Sequence, residues 1–177
     1  MRVADKSATL AKTSKHLTFT LDGEEYGLDI LKVQEIIGIM PITRVPRTPA
    51  FVRGVINLRG KVIPVVDLRL KFGMGTAEDT DRTCIVVVQV AGKNGGTVMG
   101  TVVDEVSEVI DIAEDAIEET PEFGADIDTD FVLGIGKIGD RVVMVLDIDK
   151  VLSASELTAI KRVASSKTGD DEKKEGE

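Results

Sequence analysis

This 177-residue chain has no tryptophan, one tyrosine, one histidine and one cysteine. The lone cysteine, Cys84, excludes an internal disulfide, and its place in the run Cys84-Ile85-Val86-Val87-Val88 reads as a buried structural thiol. The lone histidine, His16, is placed in an N-terminal arm expected to be loose, whose residues 1–15 are polar and small. No histidine-based triad or zinc site can be built from it. No apolar stretch approaches the ~18–20 residues that cross a bilayer. The N-terminus, MRVADKSATLAKTSKHL, has no continuous apolar block of the signal-peptide kind, so the expected location is cytoplasmic. Basic residues are also short: 22 Lys and Arg face 31 Asp and Glu, for a net charge of -9. That balance weighs against nucleic acid, which needs clustered cations, and against anionic membrane surfaces.

What remains is aliphatic. Hydrophobic residues make up 42% of the chain while aromatics make up 3%, so the core must be built from Val, Ile and Leu, and the β-branched pair favours strands. The length suits one ordinary domain or two small lobes. Two segments repeat without a gap: FVRGVINLRGKVIPVVDLRL at 51–70 and FVLGIGKIGDRVVMVLDIDK at 131–150. They share Phe51/Phe131, Val52/Val132, Gly54/Gly134, Val62/Val142, Val65/Val145 and Asp67/Asp147. An upstream echo sets Tyr26-Gly27 against Met99-Gly100, and Val33-Gln34-Glu35-Ile36-Ile37 against Val106-Ser107-Glu108-Val109-Ile110. A duplicated β unit predicts two similar lobes packed together, with a groove between them.

Along the chain, Leu17 to Leu21 alternates as a half-buried strand and turns at Asp22-Gly23 into a second strand from Tyr26. Leu31 to Val33 reads as one helical turn and Gln34 to Ile39 as a strand. Thr48-Pro49 reads as the cap and first position of a short helix across 50–53, ended by Gly54. A hairpin follows about Arg59-Gly60, and Asp67 caps a short helix through Phe72. A polar linker at 73–81 separates lobe 1 (about 16–82) from lobe 2 (about 83–155), with exchange of strands between lobes left open. Lobe 2 should carry strands at 83–90, 97–103 and 106–112 and a hairpin about Gly139-Asp140. Ser153 and Glu156 form a capping box ahead of a C-terminal helix, and 165–177 should be flexible.

Two motifs fail on their physics. Gly134-Ile135-Gly136-Lys137-Ile138-Gly139 fits a dinucleotide fingerprint, but strand rather than helix follows, so no helix N-terminus receives a pyrophosphate. Asp126, Asp128 and Asp130 begin like a calcium loop, yet Phe131 and Lys137 stand where Gly and Glu are required. Asp67 and Asp147 read as caps. No catalytic set, metal site or cofactor is expected.

The runs Gly54-Val55-Ile56-Asn57-Leu58-Arg59-Gly60 and Val62-Ile63-Pro64-Val65-Val66-Asp67-Leu68 resemble the signature of the CheW family. So do Glu25-Tyr26-Gly27-Leu28-Asp29-Ile30-Leu31-Lys32-Val33-Gln34-Glu35-Ile36 and Val102-Val103-Asp104-Glu105-Val106, and the resemblance covers about 16–155. It implies an all-β fold of two SH3-like, five-stranded barrels on a shared core, with a short C-terminal helix. It also implies a cytoplasmic, non-catalytic adaptor linking the cytoplasmic tips of transmembrane chemoreceptors to the histidine kinase CheA, whose regulatory domain has the same fold. Carried over residue by residue, it points to Ile30, Val33, Glu35 and Arg59 as partner-facing, with an Arg59–Glu35 ion pair as one reading. Ile30 and Val33 serve equally well as core. Cys84, Val106 and Val109 map to the receptor side of the groove, with core as the plain alternative, and Glu122 and Phe123 to a loop used in kinase contact or ring assembly. The alternative function is a barrel that binds a small molecule in the groove between the lobes, against which the lack of paired catalytic groups weighs.

Overall fold

The alternation Leu17-Thr18-Phe19-Thr20-Leu21 forms the end of β1 (Thr13–Leu21), which turns at Asp22-Gly23 into β2 (Glu24–Asp29). Both turn residues have positive φ, 53° and 82°, the geometry that matches the twist of the flanking strands. The computed structural model describes residues 13–91, 96–119, 131–153, 155–160 and 162. After β2, a 3-10 turn (Ile30–Lys32) is capped by Asp29, whose carboxylate accepts from the Leu31 N–H at 2.9 Å. Then come β3 (Val33–Gly38), β4 (Val52–Leu58), β5 (Lys61–Asp67) and the single-turn α1 (Leu68–Lys71). The second half runs β6 (Cys84–Val90), β7 (Thr97–Val103), β8 (Glu105–Ala113), a 3-10 turn (Glu114–Ala116), the two-residue β9 (Ile117–Glu118), β10 (Val132–Ile138), β11 (Arg141–Leu146) and α2 (Ile148–Val151). Residues 155–160 form a last helix, α3, entered through the capping box: Ser153 N–H donates to Glu156 and Glu156 N–H to the Ser153 hydroxyl, at 2.8 and 3.1 Å.

The strands form two sheets, one ordered β8-β1-β2-β11-β10-β9 and the other β3-β6-β7-β5-β4. These do not follow the halves 16–82 and 83–155, because the first hairpin of each half is exchanged. β1–β2 joins the sheet of β8, β10 and β11, and β6–β7 joins that of β3, β4 and β5. The exchange is reciprocal down to single residues. Val145 pairs in parallel with Gly27, and Val65 in parallel with Gly100. Each lobe is an SH3-like barrel.

The repeated residues now have reasons. In each lobe the chain leaving the edge strand crosses back onto the opposite hairpin, Thr43 onto Val55 and β9 onto β10. Gly54 and Gly134 lie under those crossings. A Cβ at Gly54 would stand 2.0 Å from the Thr43 carbonyl oxygen, and one at Gly134 would stand 2.5 Å from that of Glu118. Asp67 and Asp147 donate their N–H to Phe51 and Phe131 carbonyls, at 2.7 and 2.8 Å, and their carboxylates cap α1 and α2.

Two expectations are corrected here. Residues 13–16 belong to β1, not to an arm, and His16 is 4% exposed, paired between Asp29 of β2 and Ile110 of β8. Main-chain pairing with β8 extends the strand from His16 back to Thr13, through residues whose side chains carry no strand pattern. Residues 50–53 are not a helix. Val55 exchanges both its hydrogen bonds with Thr43, at 2.9 Å each, which demands extended backbone, and the Thr48 hydroxyl donates to the Val45 carbonyl instead of capping.

The two lobes share one core. Leu17, Phe19, Leu21 and Leu28 of the six-stranded sheet cluster with Val86, Val88, Met99 and Val103 of the five-stranded sheet, and Ile148, Val151, Leu152 and Ile160 close the cluster. Phe19, Tyr26, Phe72 and Phe131 stand in a row through it, with ring centroids 5.9, 5.9 and 4.5 Å apart. Ile56, Ile63, Val65, Ile85, Val87 and Val102 fill the five-stranded barrel separately.

Ion pairs bracket the shared core. Asp149 of α2 accepts from Lys32 and from the Ala91 N–H, both at 2.9 Å, and Glu156 accepts from Lys71 at 2.8 Å. Burial works against both charges, yet the hydrogen bonds and cations outweigh it and hold both carboxyls below the usual range. A carboxyl lowered in the folded state adds stability above its unfolded pKa, about 4, and loses that contribution as pH falls through the folded value. The melting temperature should therefore fall as pH drops below about 4, and Lys71→Met should make that fall shallower. Melts between neutral and acid pH test this, and an unchanged acid slope in the variant would contradict it.

Candidate functional site: the edge strands and the Arg59 turn

Because β6 and β7 occupy the middle of their sheet, β3 is left at its edge, as β8 is in the other sheet. The edge strands β3 and β8 carry Val33, Glu35, Val106 and Val109 of the residues singled out in the sequence. Ile30 and Val33 are half-buried and pack against the shared core, as do Cys84 of β6 and Val106 of β8. For these four the core reading holds for one face of the side chain, and the other face reaches solvent. Cys84 Sγ lies 3.3 Å from the Arg82 carbonyl. Arg82 also stands 3.6 Å from Glu105, which ties the start of β6 to the start of β8. Val109 is 49% exposed on β8. Glu122 and Phe123 lie outside the described residues.

Arg59 and Glu35 form a bidentate ion pair. Glu35 is on β3 and Arg59 in the β4–β5 turn, so the pair joins opposite ends of the strand order and closes the mouth of the barrel. The Arg59 hydrogen bonds hold the Glu35 carboxyl below its ordinary range, and Glu35 raises the guanidinium in return. Arg59 has φ of 52°, in a left-handed turn that the second copy makes with Gly139 at 59°. A left-handed backbone is unfavourable for a side chain with a Cβ, so an arginine held there places its guanidinium at a cost the turn alone does not require.

Two surface residues were missed by sequence reasoning. Leu31 is 88% exposed at the tip of the 3-10 turn, and Ile36 is 42% exposed on β3 beside Glu35. Neither was singled out as a contact residue in the sequence. The 3-10 turn, legible as a helical turn near Leu31, puts Leu31 outside, and the position of β3 at a sheet edge, which is not written in local sequence, exposes Ile36.

A cleft of about 740 Å³ is lined by Ile42, Arg44, Val52, Arg53, Asp67, Leu70 and the 76–79 segment. Arg53 spans it to Asp79 with two hydrogen bonds, at 3.1 and 2.8 Å. This cleft belongs to residues 42–79 and includes none of the predicted contact residues, so it is not the inter-lobe groove of the small-molecule alternative. Among the described residues no cluster of three or more His, Cys, Asp or Glu could hold a metal ion, and no helix is long and apolar enough to cross a membrane. The arrangement offers half-buried aliphatics, a clamped ion pair and strand edges at the surface.

Comparison with known proteins gives the direction. The family model of the CheW-like domain matches residues 15–156. The chemotaxis protein CheW of Klebsiella aerogenes is 42% identical over 150 residues, covering 85% of this chain and 88% of that protein. The chemotaxis protein CheW of Bacillus subtilis is 35% identical over 147 residues, covering 82% and 91%. The crystal structure of the scaffolding protein TtCheW from Thermoanaerobacter tengcongensis matches with a TM-score of 0.72 at 39% identity, covering 82% of this chain and 96% of that one. The chain belongs to the CheW-like domain family.

Proposed function

We propose that this chain is a chemotaxis scaffold that performs no catalysis. It couples the cytoplasmic tips of transmembrane chemoreceptors to the regulatory domain of the histidine kinase CheA and helps assemble the signalling array beneath the membrane. The observation that carries this reading is the Arg59–Glu35 pair: an arginine in a left-handed turn, clamped to an edge strand that carries Val33 and Ile36 and follows directly on the 3-10 turn of Ile30 and Leu31. On this reading the β3 edge with Arg59 takes the kinase. Cys84, Val106 and Val109 take the receptor tip, and Glu122 and Phe123 serve ring assembly. Names of relatives as chemotaxis and scaffolding proteins support the class.

The test compares Arg59→Ala with Arg59→Gly. Both remove the ion pair, but glycine also relaxes the turn. Both variants should keep a melting temperature close to the parent, with Gly the higher of the two. Both should lower kinase activation in a reconstituted mixture of receptor membranes, CheA and adaptor. Full activation by both variants would overturn the assignment. Phe123→Ser should leave the melting temperature and kinase binding in place while disrupting array clustering in cells, and normal clustering would remove Phe123 from the contact set.

A further inference from the structure

The six-stranded lobe has its own arginine reaching across its mouth. Arg141, the first residue of β11, places one terminal nitrogen 2.8 Å from Glu108 of β8. Its Nε and other terminal nitrogen lie 3.3 and 2.9 Å from Glu25 of β2. Glu108 is the repeat counterpart of Glu35, so each barrel has an edge-strand glutamate held by an arginine from the opposite hairpin. The arginines are not counterparts. Arg141 aligns with Lys61, and Arg59 with Gly139. The second carboxylate, Glu25, aligns with Val98 and has no equivalent in the other lobe. The same clamp has thus been made twice from different positions.

What Arg141 clamps is a bulge. Along β8, Val106 pairs with Phe19 and Val109 with Leu17, so Ser107 and Glu108 together face Thr18. The buried Thr18 hydroxyl donates to the Glu108 carbonyl at 2.8 Å and accepts the Glu108 N–H at 3.1 Å. A bulge bends its strand and re-aims the side chains on either side. Here it sets Val106 half-buried against the core and leaves Val109 exposed. The Thr18 hydroxyl fixes the main chain of the bulge, and Arg141 fixes the side chain at its crest.

We propose that Arg141 is a positioning residue for the Val106–Val109 edge: through Glu108 it holds the β8 bulge in the form that presents these valines to a receptor tip. This rests on the reading of β8 as a receptor-facing strand. The clamp acts without touching the partner.

Two measurements on the full chain separate the parts. Amide hydrogen exchange of the isolated protein comes first. Arg141→Gln should accelerate exchange at 107–110 several-fold while leaving β6 and β7 protected. Unchanged exchange at 107–110 would overturn the positioning role, whatever the receptor does. The second is titration with a purified chemoreceptor signalling-tip fragment, with Val109→Glu as control. Arg141→Gln should weaken tip binding about fivefold or more, with binding of the kinase regulatory domain unchanged. Arg141→Lys, which keeps a cation but not the three-way reach, should recover part of the loss. Glu108→Gln should add nothing further to Arg141→Gln. Loss of tip and kinase binding together, with a lowered melting temperature, would make Arg141 a general stabiliser and overturn the proposal. If Val109→Glu binds the tip normally, the receptor-facing reading of β8 fails, and the exchange result still decides whether Arg141 sets the bulge.

Discussion

Gly54→Ala should cost roughly 3–5 kcal/mol, near the upper end of single-residue effects. The native chain brings the Thr43 carbonyl oxygen to 2.0 Å from where a Cβ would stand, and its carbon to 2.7 Å. Neither atom can yield alone, because Thr43 donates to and accepts from Val55 at 2.9 Å in the same crossing. The φ of 140° adds backbone strain for any residue with a side chain. Against a total stability of roughly 5–15 kcal/mol, the variant should be largely unfolded or held only by a displaced crossing strand. Gly134→Ala should be severe but milder, since one of its close neighbours is the Ile117 side chain at 2.6 Å, which has some freedom to move. Denaturant midpoints of the three proteins check both, and a Gly54→Ala midpoint equal to the parent would contradict this account of barrel closure.

Phe19→Ala should cost about 3–5 kcal/mol. Phe19 is fully buried, stacks on Tyr26 at 5.9 Å, and sits opposite Val106. Its cluster contains residues of both sheets, so the cavity it leaves is shared by both lobes. The prediction is one transition at a lower midpoint, seen together by backbone circular dichroism and by the fluorescence of Tyr26. Two separated transitions would mean that each lobe is stable alone and that the common core is not what holds them.

Local signals found the hairpins and the caps. Asp22-Gly23 and Arg59-Gly60 turn with both residues left-handed, Gly139-Asp140 turns with Gly139 left-handed, and Asp67 and Asp147 cap the helices that follow. The gapless repeat also pointed to two like lobes. The exchange of hairpins was not legible, since Val65 facing Gly100 rather than Gly27 is a choice between equivalent partners. The false helix at 50–53 shows the converse. Thr48-Pro49 is a sound local start signal, overruled by the Thr43–Val55 crossing. The Arg59–Glu35 ion pair was one reading of the motifs that hold the two residues, and it forms where β3 and the β4–β5 turn meet. Arg141 and Glu108, 33 residues apart, carry no motif, and only the closed barrel brings them together.

The most direct test of the central claim is a three-component assembly. Receptor signalling-tip fragments on beads are mixed with CheA, with and without this protein. The account predicts that CheA is retained only when the protein is present. It further predicts that Arg59→Ala protein is itself still captured by the tips but retains less CheA. CheA retained equally without the protein, or protein that fails to bind either component, would contradict it.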